Sequence, residues 1–262
     1  RYMDRGSENP RGIHALELLP GRTDFTLDGL VEAAYDTRLP LFDDLIPALV
    51  ADLGALDSAG DARAAALDPA VRALEGWNRR WSVESTETSL AIFWVTELRR
   101  VVDSDAGLAA PDHSEERLAA LEAAIARLEA DFGTWQTPWG EINRFQRVNG
   151  DIVQPFNDDL PSTPVGFPSA RWGSLASFGA APRNGTRRWY GTSGNSFVAV
   201  VEFGERLRAR AVTAGGLNHD PASPHFNDQA ERYATGNLRD VHFYRDDVEA
   251  HSERRYRPGQ RE

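Results

Sequence analysis

Apolar residues recur at three- and four-residue intervals through the first half of the chain, and this spacing predicts helices over 27–35, 39–53, 69–77 and 87–101. The clearest helix is predicted over 115–131. Asp112-His113-Ser114-Glu115 opens it with an Asp-x-x-Glu spacing that suits a capping box, and Ser114 is an equally suitable cap. Gly133 closes it in the left-handed position that glycine tolerates. Residues 58–60 and 104–111 act as breakers between helices and not as domain linkers. After Gly133 the period falls from about 3.6 to about 2, and Pro and Gly become frequent. The run over 197–203 is apolar except for Glu202, as in a strand covered on both faces. Gly204-Glu205 reads as a hairpin turn. Arg206, Arg208 and Arg210 then alternate with Leu207, Ala209 and Ala211, which places the arginines on one strand face, either solvated or in contact with another chain. A short helix is predicted over 230–234, a last strand over 241–244, and a final helix capped by Asp246-Asp247-Val248-Glu249. Residues 155–168 form a long irregular connection of the kind that is functional or draped over a neighbour. The fold class expected is α+β, with a mainly helical region over 1–132 and a strand-rich region over 133–262 joined in one integrated domain.

Composition narrows the partners. Seven Trp and twelve Phe among 41% hydrophobic residues supply a substantial core and argue against a disordered chain. The formal charge of −11 argues against a nucleic-acid partner, because phosphate binding needs clustered cations. All 29 cations are arginine, as a GC-rich gene would produce; an arginine-selected surface is the alternative, since guanidinium forks pair bidentately. Without cysteine there is no disulfide, no thiol nucleophile and no thiolate metal site. No run approaches the 18 or more apolar residues of a membrane-spanning helix, and residues 1–6 have no signal-peptide h-region.

The most informative segment is Gly215-Gly216-Leu217-Asn218-His219-Asp220 with Ser223-Pro224-His225-Phe226-Asn227-Asp228-Gln229, a glycine-rich loop between strand and helix patterns. Its wording resembles the G-x-S-G…S-x-H-Y/F-x-D-Q signature of the penicillin acylase family of N-terminal nucleophile hydrolases, with Leu217-Asn218-His219 where S-G is common. Asp247-Val248-Glu249-Ala250-His251-Ser252-Glu253 is similar to that family's terminal D-V-E-A-H-x-E segment. Near the start, Glu8-Asn9-Pro10-Arg11-Gly12-Ile13-His14 through Leu18-Leu19 resembles the segment that carries an arginine before a hydrophobic helix. Phe25-Thr26-Leu27-Asp28-Gly29-Leu30 then resembles its F-T-L-D-x-L pattern. Trp135-Gln136-Thr137-Pro138-Trp139-Gly140-Glu141-Ile142-Asn143-Arg144 looks like the W-x-x-P-W-G-x-x-x-R piece of the aculeacin and acyl-homoserine-lactone acylase branch. These matches span nearly the whole chain in family order.

The resemblance implies an αββα sandwich that hydrolyses N-acyl amide bonds: a β-lactam side chain, an acyl-homoserine lactone or a lipopeptide acyl chain. Such enzymes attack with a Ser, Thr or Cys at the first residue of the mature chain, whose α-amine is the general base, while backbone and Asn donors hold the oxyanion. In the family these groups all precede the segment matching Arg11. The resemblance therefore implies that this chain is the C-terminal part of a β chain in an autoproteolytically processed precursor. It would be inactive by itself, with the α chain and the N-terminal part of the β chain as its partners. It also implies a periplasmic or secreted location. No cofactor is expected, although a structural calcium, with ligands mostly upstream, would fit the resemblance.

Among individual residues, none in this chain is expected to be catalytic. Arg11 is carried over as site-adjacent support, where a buried guanidinium would orient polar groups; a structural ion pair or helix-start contact is its other reading. Ser7 follows Gly6 as an exposed nucleophile would, but Pro10 is unsuited to a central strand and a turn is expected over 7–10. The histidines (His14, His113, His219, His225, His242, His251) lack zinc-site spacing. His219-Asp220 and His225 with Asp228 have the makings of a base and its orienting carboxylate, whereas the resemblance implies a hydrogen-bonded structural loop. The seven tryptophans read as core, with Trp139-Gly140 and Trp172-Gly173 as candidate cleft edges. Two functional readings stand: a component of an amide hydrolase, or a non-catalytic binding or interaction module derived from that fold.

Overall fold

A computed structural model describes residues 8–102, 107–183, 185–257 and 259. Among them, every long helix lies before Gly133 and every strand begins after Ile142, so the change of period is a change of architecture. Helices α1 (Pro10–Leu18) and α2 (Leu27–Ala34) lead into α3 (Phe42–Ser58), α4 (Arg63–Gly76), α5 (Thr86–Leu98) and α6 (Ser114–Phe132). Local chemistry starts them: Asn9, Thr26 and Ser85 each accept from the backbone N–H three residues on, at 2.9, 3.1 and 3.0 Å. Gly133 ends α6 at φ 86°, as expected.

Helix α5 is the centre of the helical half. Leu90, Ala91, Ile92, Phe93, Trp94 and Val95 are all buried, as a helix that is apolar all round must be. Residues from α3, α4 and α6 surround it, and Trp139, Trp172 and Trp189 complete the same core. One ion pair is sealed within this half. The Arg117 guanidinium forks onto Asp52 at 2.6 and 3.0 Å, and its Nη1 donates to the carbonyls of Leu108 and Ala110 at 3.0 and 2.6 Å, so the buried pair is held by charge and by hydrogen bonds.

The second half holds a four-stranded sheet and a three-stranded one. The first is ordered β2 (Thr163–Pro164), β1 (Asn143–Phe145), β4 (Trp189–Gly194), β3 (Phe178–Pro182), parallel only between β1 and β4. The second is antiparallel, ordered β5 (Phe197–Glu202), β6 (Arg208–Thr213), β7 (Arg239–Asp240). Short helices α7 (Trp139–Ile142), α8 (Ala230–Thr235) and α9 (Arg245–Ala250) connect and flank them. A second core joins Leu27 of α2 to Phe167, Phe178, Val200, Val212 and Tyr233.

Several expectations are corrected. The Asp112 box does not form: Pro111–His113 is a 3-10 turn whose backbone bonds, His113 N–H to Ala110 at 3.1 Å among them, lead straight into α6, and no side chain caps it. The α9 start likewise has no side-chain cap; Asp246 and Asp247 lie in its first turn. The hairpin expected at Gly204-Glu205 does form, but Glu202 pairs with Arg208 across a five-residue connection, and Gly204 does not take the positive φ of a two-residue turn. The last strand is Arg239–Asp240, because Tyr244 leaves the sheet to accept from the Leu207 N–H at 2.8 Å. Pro10 begins α1 where a turn was expected, and Ser7 lies outside the described residues.

Strand β5 has cover on one face only. Val198 and Val200 pack towards α2, while Phe197 (57% exposed), Ala199 and Val201 (41%) lie open with Ala209 beside them and Phe203 (85%) beyond. The alternating arginines are on the α2 side and form intramolecular pairs: Arg208 with Glu202 at 2.6 Å, and Arg210 with Asp240 at 3.3 Å and with Asp28. Arg206, in the connection, pairs with Asp246 and Asp247 at 2.7 and 3.0 Å. Helix α1 inverts the usual pattern: His14 is fully buried while Ile13, Leu16 and Leu19 are exposed. Among the described residues no helix is long and apolar enough to cross a membrane.

Candidate functional site

The segment carrying Arg11 is docked through one helix face. Arg11, His14 and Glu17 are spaced by three, so they share a side of α1. The Arg11 guanidinium donates to the Leu175 carbonyl at 2.6 Å; it is exposed, not buried as expected. His14 Nδ1 meets the Gly173 carbonyl at 2.7 Å and Nε2 meets Asp36 Oδ1 at 3.0 Å. The ring thus ties α1 to the Gly173 backbone and to Asp36 at once. Glu17 pairs with Arg38 at 2.8 Å. Asp36 gathers the network: burial would raise its carboxyl, but the Arg38 N–H, the Arg80 guanidinium at 3.1 and 3.2 Å, and His14 together hold it below its ordinary range.

The 215–229 loop is closed by its own polar groups. A Cβ on Gly216 would stand 2.3 Å from the His225 carbonyl oxygen, so only glycine allows the two backbones to approach. Arg147 donates to the carbonyl of Phe226 at 2.8 Å and lies over its ring, and Asn227 donates back to the Arg147 carbonyl at 3.0 Å. Buried Gln229 accepts from the Thr213 N–H and from Arg239. His225 and Asp228 meet at 2.9 Å on the surface, where the Asp228 bond and then its charge raise the imidazole above its usual value. Asp220 turns to the Ala222 N–H instead of to His219. The loop is thus a fastening between β6, α8 and the segment around Arg147, as the structural reading expected.

The motif ending at Arg144 is a clasp on the irregular 155–168 connection. Trp139 Nε1 donates to the Gly166 carbonyl at 3.0 Å, Asn143 Nδ2 to that of Val165 at 2.7 Å, and Arg144 to Ser162 Oγ at 2.9 Å and to the Ser162 carbonyl. Three polar side chains of one short segment thereby hold backbone that has almost no ladder of its own. The anchored motifs run from α1 to α9, and the sequence model of the penicillin amidase family matches residues 2–250 of the chain.

The chain belongs to the penicillin amidase family.

Membership makes this an amide hydrolase of the acylase kind. For a penicillin amidase chain, the cluster made by His14, Asp36 and Arg80 is the part that residue reading missed. Its members are 22 and 44 positions apart, and only the three-residue spacing of Arg11 and His14 on α1 hints at it. Trp139 and Trp172 are at once core residues, 1% and 7% exposed, and walls of a cleft against β3 and β4.

Proposed function

We propose that this chain is the C-terminal part of an acylase β chain, which hydrolyses N-acyl amides with a nucleophile supplied by upstream chain. The open apolar face of β5 carries the reading. A strand packed on a helix on one side and open on the other is what one half of an αββα sandwich would present, with the second sheet coming from upstream strands. The exposed Ile13, Leu16 and Leu19 of α1 offer a further surface for the same neighbour. The helical region over 1–132 and the strand-rich region over 133–262 act as one integrated unit. Arg11 is site-adjacent: fixed at one N–H by Leu175, it keeps the rest of its guanidinium for polar groups arriving with that neighbour. The Trp135 to Arg144 wording tilts the substrate towards long aliphatic acyl chains, by analogy with the aculeacin and acyl-homoserine-lactone branch. A periplasmic or secreted setting accords with the family.

The test is co-expression with the preceding coding sequence, followed by native mass spectrometry and an acid-release assay on aromatic and aliphatic N-acyl amides. The expected result is a co-purifying chain that begins with a nucleophilic residue, turnover by the assembly, and none by the 262-residue chain alone. Turnover by the lone chain, free of others, refutes the division of labour. A chain that binds no upstream segment and supports no hydrolysis is instead the non-catalytic module.

A further inference from the structure

A cleft of about 550 Å³ opens between α5, α6 and the β3–β4 pair; its Arg171–Trp172 edge adjoins Gly173, which His14 of α1 contacts. Trp139, Trp172, Phe178 and Trp189 wall it. Its charged lining is Arg100, Arg127, Arg171 and Arg183, with no carboxylate among the described lining residues. On a chain with 40 acidic and 29 basic residues this patch reverses the sign of the whole molecule. Arg100 and Arg127 are satisfied by Glu97 at 2.5 and 3.0 Å. Among the described residues Arg171 and Arg183 have no ion pair, and the Arg183 guanidinium donates to Thr192 Oγ1 at 2.6 Å. Behind the wall, Trp189 Nε1 and Asn143 Oδ1, a donor and an acceptor in residues 5% and 0% exposed, have no protein partner. Buried polar atoms of this kind call for an explanation. The cleft wall also carries the register shift between Gly179 and Ala180, a bulge of the sort that re-aims side chains beside binding sites.

We propose that this cleft binds a planar aromatic carboxylate, with the ring system against the exposed edges of Trp172, Phe178 and Trp189 and the carboxylate held by Arg171 and Arg183. An inorganic anion would use the arginines and leave the indole wall unused, and a neutral aromatic would do the reverse. The volume lies within the range of small-molecule sites, and guanidinium forks match a carboxylate bidentately. The site is independent of the acylase reading, because its occupancy needs no turnover.

Calorimetric titration of 2-naphthoate into the chain, alone and within the co-expressed assembly, tests this. Saturable one-to-one binding is expected, weakened about 10-fold by Arg171→Gln or Arg183→Gln and about as much in the neutral analogue 2-naphthamide. Both arginines are exposed, so the variants keep the fold, which circular dichroism checks; Arg206→Gln, far from the cleft, should leave binding unchanged. Absence of saturation overturns the proposal, as does equal affinity for the amide or unaltered binding by both cleft variants. Sulfate competing as strongly as naphthoate would reduce the site to a general anion patch and refute the aromatic half.

Discussion

The helical half and the β5–β7 sheet are built from similarly apolar sequence yet meet opposite fates. Around α5 every apolar side chain is covered, by α3, α4 and α6 and by Trp139, Trp172 and Trp189 from beyond Gly133, so this core is closed by the chain itself. On β5 the inner face finds α2, but Phe197, Val201 and Phe203 are left exposed by the described residues. Hydrophobic content measures how much cover a segment requires; it does not say that its own chain provides it. The two regions should therefore respond differently to the same class of substitution.

The comparison breaks first in the closed half. Phe93 is fully buried and stacks on Trp189 at 4.6 Å, so Phe93→Ala should cost about 3–5 kcal/mol in urea unfolding. A loss below about 1 kcal/mol would mean that the helical core is not the stable part. Asp52→Ala strands the Arg117 charge and should cost about as much, roughly 3–5 kcal/mol. Retained stability in that variant would show water reaching a site that is sealed here.

A smaller effect is expected at Asp36. Its folded carboxyl titrates below the unfolded one, so its contribution is present above the unfolded value of about 4 and is lost as pH falls through the lower folded value. Asp36→Asn should lower stability at neutral pH and flatten the acid limb below about pH 4, with the two curves converging in acid. Parallel curves would remove Asp36 as the hub. The smallest stability change should come from the open sheet. Phe197→Ser with Phe203→Ser should move unfolding of the lone chain by no more than about 0.5 kcal/mol, while reducing dye binding and aggregation and weakening capture of upstream segments. A monodisperse parent chain with no dye-binding surface would erase the contrast between the halves.

Reading from sequence succeeded where one side of an element meets a self-contained core. The periods of α2 through α6 and the Gly133 stop report burial directly. It failed at α1, where the buried residue is His14 and the apolar ones face outward, so periodicity points to the wrong face. On β5 the near-continuous apolar run announces two faces that need cover, and among the described residues only one of them has it. At the site, Arg11 was reachable through its motif. Asp36 and Arg80 were not, because their bonds depend on loops meeting after the helices have packed. The tryptophans at 139 and 172 were legible as core, and as cleft walls only by their neighbouring glycines; Trp189 gave no such signal.

The pairing of α2 with the distant sheet has a consequence in time. Tyr35 donates to the Tyr233 carbonyl and Asp28 meets Arg210, contacts that span 198 and 182 positions. Helices α3 to α6 can assemble as they leave the ribosome, but α2 precedes them and its partner strands come last. At about 5–20 residues per second, α2 spends on the order of 10–40 s with its apolar side unclaimed. During that interval α2 depends on a chaperone or on solubility, and the rate of translation across 35–210 sets how long the interval lasts.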